Sequence, residues 1–189
     1  MKFSENKGEV CRFDPKWHTY TISGNRRLPS VSKFIRQYKE PFDPDGTIVA
    51  RKAAENGITP QERAAQWRAK ADLSRNIGNN VHECAETILR ENALISPIND
   101  QAERMFSHVI AACDFLRSEY EILGTEQILF SPELNIAGTA DIVARNKSTG
   151  CLAVFDWKTN HDFQFDNRFQ NLLPPFNYMP ASHYYEYSI

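Results

Sequence analysis

The clearest pattern of apolar positions lies between residues 100 and 121, where apolar side chains recur mostly at three- and four-residue steps. These positions are Ala102, Met105, Phe106, Val109, Ile110, Cys113, Leu116 and Tyr120. Such spacing is typical of one face of an α-helix. It predicts a core helix that Gly124 is expected to end, and we assign no chemistry to it.

The stretch from residue 41 to residue 75 also has a helical pattern. Pro44 is expected to open one helix, and Gly57 is expected to end it. The following run, Thr59-Pro60-Gln61-Glu62, has the residues of a capping box, with proline at the first helical position. The sequence therefore predicts a second helix that begins at this run.

A shorter apolar run from Val81 to Leu89 predicts another amphipathic helix. We expect a turn at Gly78 just before it, where a glycine would let the backbone approach a sheet or a substrate closely. Residues 10–13 and 18–22 predict two short strands. Ser30 or Ser32 is expected to cap a helix that runs through Tyr38.

Two turn-forming clusters divide the chain after residue 123 into three strands. The cluster at 146–150 separates two runs rich in apolar and β-branched residues, and Asp141 and Asp156 are equally far from its centre. Glu126 and Asp141 are likewise equally far from the centre of the cluster at 131–135. In antiparallel hairpins such residues face each other, so the pattern predicts one acidic row across three strands.

Lys158 emerges on the same face of its strand as Asp156, because strand side chains alternate. Opposed carboxylates repel each other on a sheet, and a divalent cation would relieve that repulsion. Hard oxygen ligands suit Mg²⁺ or Mn²⁺. The alternative is structural: a buried Asp–Lys ion pair, with Glu126 solvated at an edge.

Composition narrows the class of protein. The 189 residues are 41% hydrophobic, which predicts one domain with a sizeable core. We divide it into N-terminal strands and helices (1–122), a sheet with the acidic row (123–160), and a loop with an incipient helix (161–189). The formal net charge is −2, so a nucleic-acid partner would have to be held by local patches.

Neither a membrane span nor a signal peptide is expected from the apolar runs, and reduced thiols in a cytoplasmic protein are the simplest interpretation of the cysteines. The four cysteines are far apart with no CxxC, which argues against a zinc site or an iron–sulfur cluster. The most basic stretch contains Arg26, Arg27, Lys33, Arg36 and Lys39. These residues form either a solvated surface or a set of phosphate contacts.

The motif GTAD…FDWKTN, formed by residues 138–141 and 155–160, resembles the bipartite signature of the PD-(D/E)XK nuclease superfamily, and in particular its RecB-like exonuclease branch. The spacing from Gly78 to His82 is similar to the N-terminal GxxxH motif of that branch. Residues 17–34 resemble the opening of phage exonucleases that are similar to the mitochondrial genome maintenance exonuclease.

The resemblance implies a restriction-endonuclease-like α/β (α+β) core: a central mixed sheet with a three-stranded antiparallel meander, flanked by helices. It implies a metal-dependent DNA nuclease, more an exonuclease than an endonuclease, acting in recombination or repair in a bacterial or phage-infected cell. Asp141 and Asp156 would hold Mg²⁺ or Mn²⁺, His82 and Glu126 would complete the site, and Lys158 would position water. Thr159 would contact DNA.

Two alternatives to this function stay open. One is a nuclease-fold protein that binds DNA or a protein partner without cutting, and the other is a metal-dependent hydrolase of a different phosphoester. Residues 160–180 are rich in aromatics that could stack on single-stranded bases or form a small satellite core. The family pattern continues with a helix and a strand beyond Ile189. We therefore expect a truncated core with weak activity, or an oligomer or partner chain that covers this end.

Overall fold

The computed structural model describes residues 2–6, 8–38, 46–159 and 172–178. The strands are β1 (Lys2–Asn6), β2 (Glu9–Asp14), β3 (Thr19–Ile22), β4 (Arg26–Leu28), β5 (Tyr120–Ser131), β6 (Ile136–Asn146) and β7 (Leu152–Phe155). The helices are α1 (Val31–Arg36), α2 (Thr47–Glu55), α3 (Pro60–Glu91) and α4 (Asp100–Glu119), with a short 3₁₀ turn at Ser23–Asn25. The described chain is therefore a mixed α and β structure with two sheets.

The N-terminal sheet has the order β1-β2-β3-β4, and all its ladders are antiparallel. Its inner face carries Cys11, Tyr20, Ile22 and Leu28, which are buried against Ile128 and Ala137 of β5 and β6 in a small core. Ser30 then caps α1, with its hydroxyl oxygen accepting a hydrogen bond from the Lys33 N–H at 3.1 Å. The expected strands and one of the two expected caps are confirmed.

Helix α3 begins as the sequence predicts but runs further than expected. Thr59 and Glu62 form the capping box, Pro60 follows it, and Gly57 adopts the left-handed conformation just beyond α2. The turn expected at Gly78 is wrong, because one helix continues from Pro60 to Glu91. Ile77 and Val81 on either side of the glycine are both buried in the main core, which keeps the segment helical. Pro44 lies outside the described residues.

The core helix α4 is confirmed, but it ends before Gly124. Tyr120 is already extended and leads straight into β5. The Lys147 ammonium donates to the carbonyl oxygens of Arg117 and Ser118 at 2.6 and 3.1 Å, which satisfies the end of the helix without a glycine. Gly124 instead lies within β5, beside a register shift that follows Ile122.

Strands β5, β6 and β7 form the predicted antiparallel meander. The pairs Thr125–Ile142 and Gln127–Ala140 place Glu126 level with Asp141. Ile142 pairs with Phe155. Asp141, the neighbour of Ile142 on β6, and Asp156, the first residue after β7, are the next two positions in the same register. The registers about both turn clusters are therefore those that the sequence predicts.

The main core lies between α3, α4 and one face of the meander. Its buried members include Ile77, Val81, Cys84, Ala85, Ile88, Phe106, Val109, Cys113, Leu116, Ile142 and Ala144. The buried Asn80 side chain accepts from the Ile98 N–H and donates to the Ser96 carbonyl, which fixes the connection between α3 and α4. Helices therefore flank the meander as expected.

The described residues test the remaining expectations about the fold only in part. Every ladder between the named strands is antiparallel, with one isolated parallel bridge between Ser30 and Ala137, so the mixed sheet stays a prediction. None of the helices described is both long and apolar enough to cross a membrane. Most of the aromatic segment after residue 159 and the incipient helix at 181–189 lie outside the described residues.

Candidate metal centre

Three side chains from three elements meet where α3 lies against the meander. His82 comes from α3, Glu126 from β5 and Asp141 from β6. One ligand atom of each lies within 4.8 Å of the others, and all three residues are partly buried. Among the residues that the structure describes, this His82–Glu126–Asp141 triad is the group that could hold a metal ion.

Helix α3 brings His82 to the triad because its apolar face is fixed in the main core. Val81, Cys84 and Ala85 are buried around His82, whose own side chain remains 33% exposed. One turn earlier, a Cβ atom on Gly78 would lie 3.2 Å from the Thr159 hydroxyl oxygen. The glycine therefore permits a close approach between α3 and the chain after β7, here from inside a helix rather than from a turn.

Glu126 has an unusual backbone conformation. Its φ is +49°, in the left-handed region, although it lies inside β5. The regular ladder pairs Thr125 and Gln127 with β6 but omits Glu126 between them. A positive φ is uncommon for a residue other than glycine, and such conformations concentrate at functional sites. The carboxylate therefore reaches the triad from a local distortion of the strand.

The backbone of Trp157 contacts two members of the triad. Its N–H donates a hydrogen bond to Asp141 Oδ2 at 2.6 Å. Its carbonyl oxygen lies 3.0 Å from His82 Nε2, and because a carbonyl can only accept, that nitrogen is the donor. His82 Nδ1 in turn lies 3.5 Å from Asp141 Oδ2. One residue thus orients both an imidazole and a carboxylate.

The close contact of these two side chains shifts both pKa values. The hydrogen bond that the protonated ring of His82 donates to the Asp141 carboxylate raises the pKa of His82 above its ordinary 6.5, against the lowering effect of burial. Burial raises the pKa of Asp141, but the hydrogen bonds from His82 and the Trp157 N–H, with the charges of His82 and Lys158, outweigh it and the pKa is lowered. Asp141 is therefore anionic at neutral pH.

The triad supplies two carboxylates and one imidazole nitrogen. In the neutral ring, Nε2 carries the proton and donates it in a hydrogen bond to the Trp157 carbonyl oxygen. Nδ1 is then unprotonated, and its lone pair is on the side of Asp141. Metal-bound histidines commonly donate their other ring N–H to a carbonyl or carboxylate in this way. The three residues therefore fit a divalent cation, whose identity their geometry leaves open.

The structure does not bring Asp156 into the triad. Its carboxylate forms an ion pair with the Lys158 ammonium instead. Both side chains line a cleft of about 680 Å³ between the N-terminal sheet, α1 and the meander. Strand β7 ends at Phe155, and Trp157 then packs on the main core. The structural alternative predicts a buried Asp–Lys ion pair; the observed pair is partly buried, and Glu126 lies with the other two ligands rather than alone at an edge.

An open cavity of about 440 Å³ lies beside the triad. It is lined by Ser74, Arg75, Gly78, Asn79, His82, Glu83, Glu86, Glu126 and Thr159. In the sequence, Arg75 is one of several helical cations that could line a DNA channel or simply be solvated, whereas Asn79 has no predicted role because the predicted helical pattern ends near residue 75. Their spacing from His82, seven and three residues, would place them on the same side of a continuous helix. Thr159, predicted to contact DNA, does lie at this cavity.

The other residues predicted to bind DNA are spread over two elements. Arg26 and Arg27 lie on β4, and Lys33 and Arg36 lie on α1. All four are exposed. Arg27 pairs with Thr21 and so belongs to the outer face of the N-terminal sheet, whereas Arg26 pairs with the buried Ile22. The basic stretch is therefore not one continuous surface.

Comparisons of the chain with protein families, with characterised proteins and with solved structures returned no match.

Proposed function

We propose that this chain is a metal-dependent deoxyribonuclease that hydrolyses phosphodiester bonds, with the restriction-endonuclease-like core of a RecB-like PD-(D/E)XK nuclease. The observation that carries the proposal is the convergence of His82, Glu126 and Asp141. Asp141 and His82 belong to the motifs on which the resemblance rests. Three ligands from one helix and two strands can hold a divalent cation, and Lys158 lies three residues beyond the end of β7.

The resemblance points to Mn²⁺ or Mg²⁺ as the cofactor. Carboxylates suit both ions, but an imidazole ligand suits Mn²⁺ better than Mg²⁺, which prefers oxygen ligands throughout. A bound divalent cation would supply Lewis-acid polarisation of the scissile phosphate. His82, Glu126 and Asp141 would hold it, and Trp157 would fix the orientation of two of them through its backbone.

Lys158 is the second part of the proposed machinery. An ammonium can position water and stabilise the negative charge that develops on a phosphate during hydrolysis. In the described structure it pairs with Asp156, which keeps both side chains partly buried at the wall of the large cleft. In the cutting enzyme, Asp156 would serve by holding this lysine or by joining the ligands.

The same ion pair favours a second candidate function. If Lys158 stays bound to Asp156, the triad lacks both its second aspartate and a free ammonium. The chain would then be a nuclease-fold protein that binds DNA or a protein partner without cutting. The same ligands would also fit a hydrolase of another phosphoester.

The test is incubation of the protein with end-labelled single-stranded and duplex DNA, in Mn²⁺, in Mg²⁺ and in a chelator. We expect cleavage that requires the ion and is faster in Mn²⁺. Glu126→Gln and Lys158→Ala should each abolish it, because one removes a ligand charge and the other the ammonium.

His108→Ala is the matched control, since His108 is an exposed histidine on α4 away from the triad. Intact DNA with every ion, together with binding of the same DNA, would establish the non-cutting function instead. Cleavage that persists in Glu126→Gln would overturn the assignment of the triad. Hydrolysis of small phosphoesters but not of DNA would establish the third function.

A further inference from the structure

A second surface on the chain has the chemistry of a polynucleotide site. It is the outer face of the N-terminal sheet, on the side away from β5 and β6. Arg12 pairs with Thr21, and Thr21 pairs with Arg27, so these three side chains form one row across β2, β3 and β4. Strand alternation directs them outward, because their neighbours Cys11, Tyr20, Ile22 and Leu28 are buried on the inner face.

The row forms the floor of a concave surface. Arg12, Asp14, Trp17, Thr19, Thr21, Asn25 and Arg27 together line a shallow cavity of about 560 Å³, and we call these residues the outer-face patch. The two arginines are two strands apart, so their Cα atoms are roughly 10 Å from each other. Both are exposed, and within the described residues neither forms an ion pair.

Trp17 gives the patch a flat apolar surface. It lies in the tight connection between β2 and β3, and 70% of it is exposed to solvent. The Lys16 ammonium lies 5.3 Å from the centre of its ring. The exposed indole lies at a hairpin tip and lines the same cavity as Arg12 and Arg27, so its ring is accessible to a base that stacks on it.

Asp14 is the one acidic member of the patch, and its carboxylate is already occupied. Asp14 Oδ1 accepts hydrogen bonds from the backbone N–H groups of Lys16 and Trp17 at 2.9 and 3.3 Å. The carboxylate therefore shapes the tight turn that carries Trp17. The patch keeps a local excess of positive charge on a chain whose net charge is −2.

From this arrangement we propose that the outer-face patch binds a single strand of nucleic acid, independently of the metal triad. Arg12 and Arg27 contact backbone phosphates, Trp17 stacks on a base, and Thr21 and Asn25 supply polar contacts between them. Charge complementarity favours a polyanion, and the exposed ring favours unpaired bases over a duplex, whose bases are already stacked. The sheet lies between this patch and the cleft that contains Lys158.

The test is fluorescence anisotropy of labelled oligothymidine with the full chain in a chelator, so that no cleavage takes place. We expect Trp17→Ala to weaken binding by at least about fivefold, the lower end of what one base–aromatic stack contributes. Trp17→Phe should retain most of the affinity because it keeps a ring. Arg12→Ala and Arg27→Ala should each lower the slope of log affinity against log salt by about one phosphate contact.

Arg104→Ala on the exposed side of α4 is the charge-matched control, and it should leave both affinity and salt slope unchanged. Circular dichroism of each variant shows whether the sheet remains folded. Equal affinity of wild type, Trp17→Ala and Arg27→Ala for the oligonucleotide would overturn the proposal. Equally tight binding of a duplex would also overturn it. Full displacement of oligothymidine by polyglutamate at equal charge would overturn it too, and would identify an acidic protein as the partner. Because the triad is intact in every variant, failure here leaves the proposed nuclease activity to its own assay.

Discussion

His82 Nε2 lies 3.0 Å from the carbonyl oxygen of Trp157. This contact determines which ring nitrogen carries the proton in the neutral imidazole, since the carbonyl can only accept. It leaves Nδ1 free to bind a cation on the side of Glu126 and Asp141.

The first prediction follows from this contact: His82→Ala should weaken Mn²⁺ binding by more than about tenfold. Even the loss of a residue that only supports a metal ligand weakens metal binding by about that factor, and His82 would itself be a ligand. Isothermal calorimetry on wild type, His82→Ala and the exposed-histidine control His108→Ala checks it.

A second prediction separates Glu126 from Asp156 as metal ligands. Glu126→Gln and Asp156→Asn each remove one carboxylate charge at nearly constant volume. Because Glu126 lies in the triad and Asp156 is paired with Lys158, we expect Glu126→Gln to weaken Mn²⁺ binding strongly and Asp156→Asn to weaken it much less. Calorimetric titration of both variants measures the difference. The reverse order would show that Asp156 leaves the ion pair when the cation binds.

A third prediction concerns the pH dependence of cation binding. Protonation of Nδ1 removes the lone pair that would bind the ion. Because Asp141 raises the pKa of His82 above 6.5, the protonated ring persists to higher pH than in an ordinary histidine. We therefore expect Mn²⁺ affinity to be full above the raised pKa and to fall as pH decreases through it, beginning above pH 6.5. Titrations over a pH series measure this profile.

The pKa of His82 in the metal-free protein can be measured by NMR titration as a control for that profile. In Asp141→Asn the hydrogen-bonding carboxylate charge is gone, so the pKa of His82 should move down relative to wild type. An unchanged pKa in the variant would contradict the assigned cause.

A fourth prediction concerns the contact between Gly78 and Thr159. Replacing an interior helical glycine by alanine stabilises a helix by up to about 1 kcal/mol. Here the new Cβ would lie 3.2 Å from the Thr159 hydroxyl oxygen, so the neighbour must move. We expect Gly78→Ala to raise the free energy of unfolding by less than that amount in wild type, and by more in a Thr159→Ala background. Urea unfolding of the four proteins forms the cycle, and equal gains in both backgrounds would rule out the contact.

A fifth prediction concerns the cysteines. Burial raises the pKa of Cys11 and Cys84, and it raises that of Cys113 to about 11, so these thiols stay protonated at neutral pH. Cys151 is exposed. Iodoacetamide at about pH 8 should therefore label the folded protein once, at Cys151, and all four positions in urea. Mass spectrometry counts the labels, and Cys151→Ser should leave the folded chain unlabelled.

The register of the meander could be predicted because turn chemistry is local. The clusters at 131–135 and 146–150 fix two hairpins, and the pairs Thr125–Ile142, Gln127–Ala140 and Ile142–Phe155 follow from counting residues outward from them. The capping box at Thr59 and the core helix α4 were likewise readable, because caps and helical periodicity depend on a few neighbouring residues.

The composition of the triad was harder to predict because it depends on departures from regular structure. Strand alternation assumes extended geometry at every residue, but Glu126 is left-handed and β7 ends at Phe155. The packing of Trp157 on the core and the pairing of Asp156 with Lys158 are tertiary effects that a local pattern does not contain. The same holds for Gly78, whose helical conformation follows from the burial of Ile77 and Val81.

The placement of the triad on three separate elements has a consequence for folding. Residues 82, 126 and 141 are far apart along the chain and meet only in the native structure, so an ion that binds them binds the folded state and not the unfolded one. By mass action, free ion at a hundred times its dissociation constant would stabilise the native state by about 2.7 kcal/mol. The cation would thus act as a reversible cross-link between α3 and the meander, and the melting temperature would report its concentration.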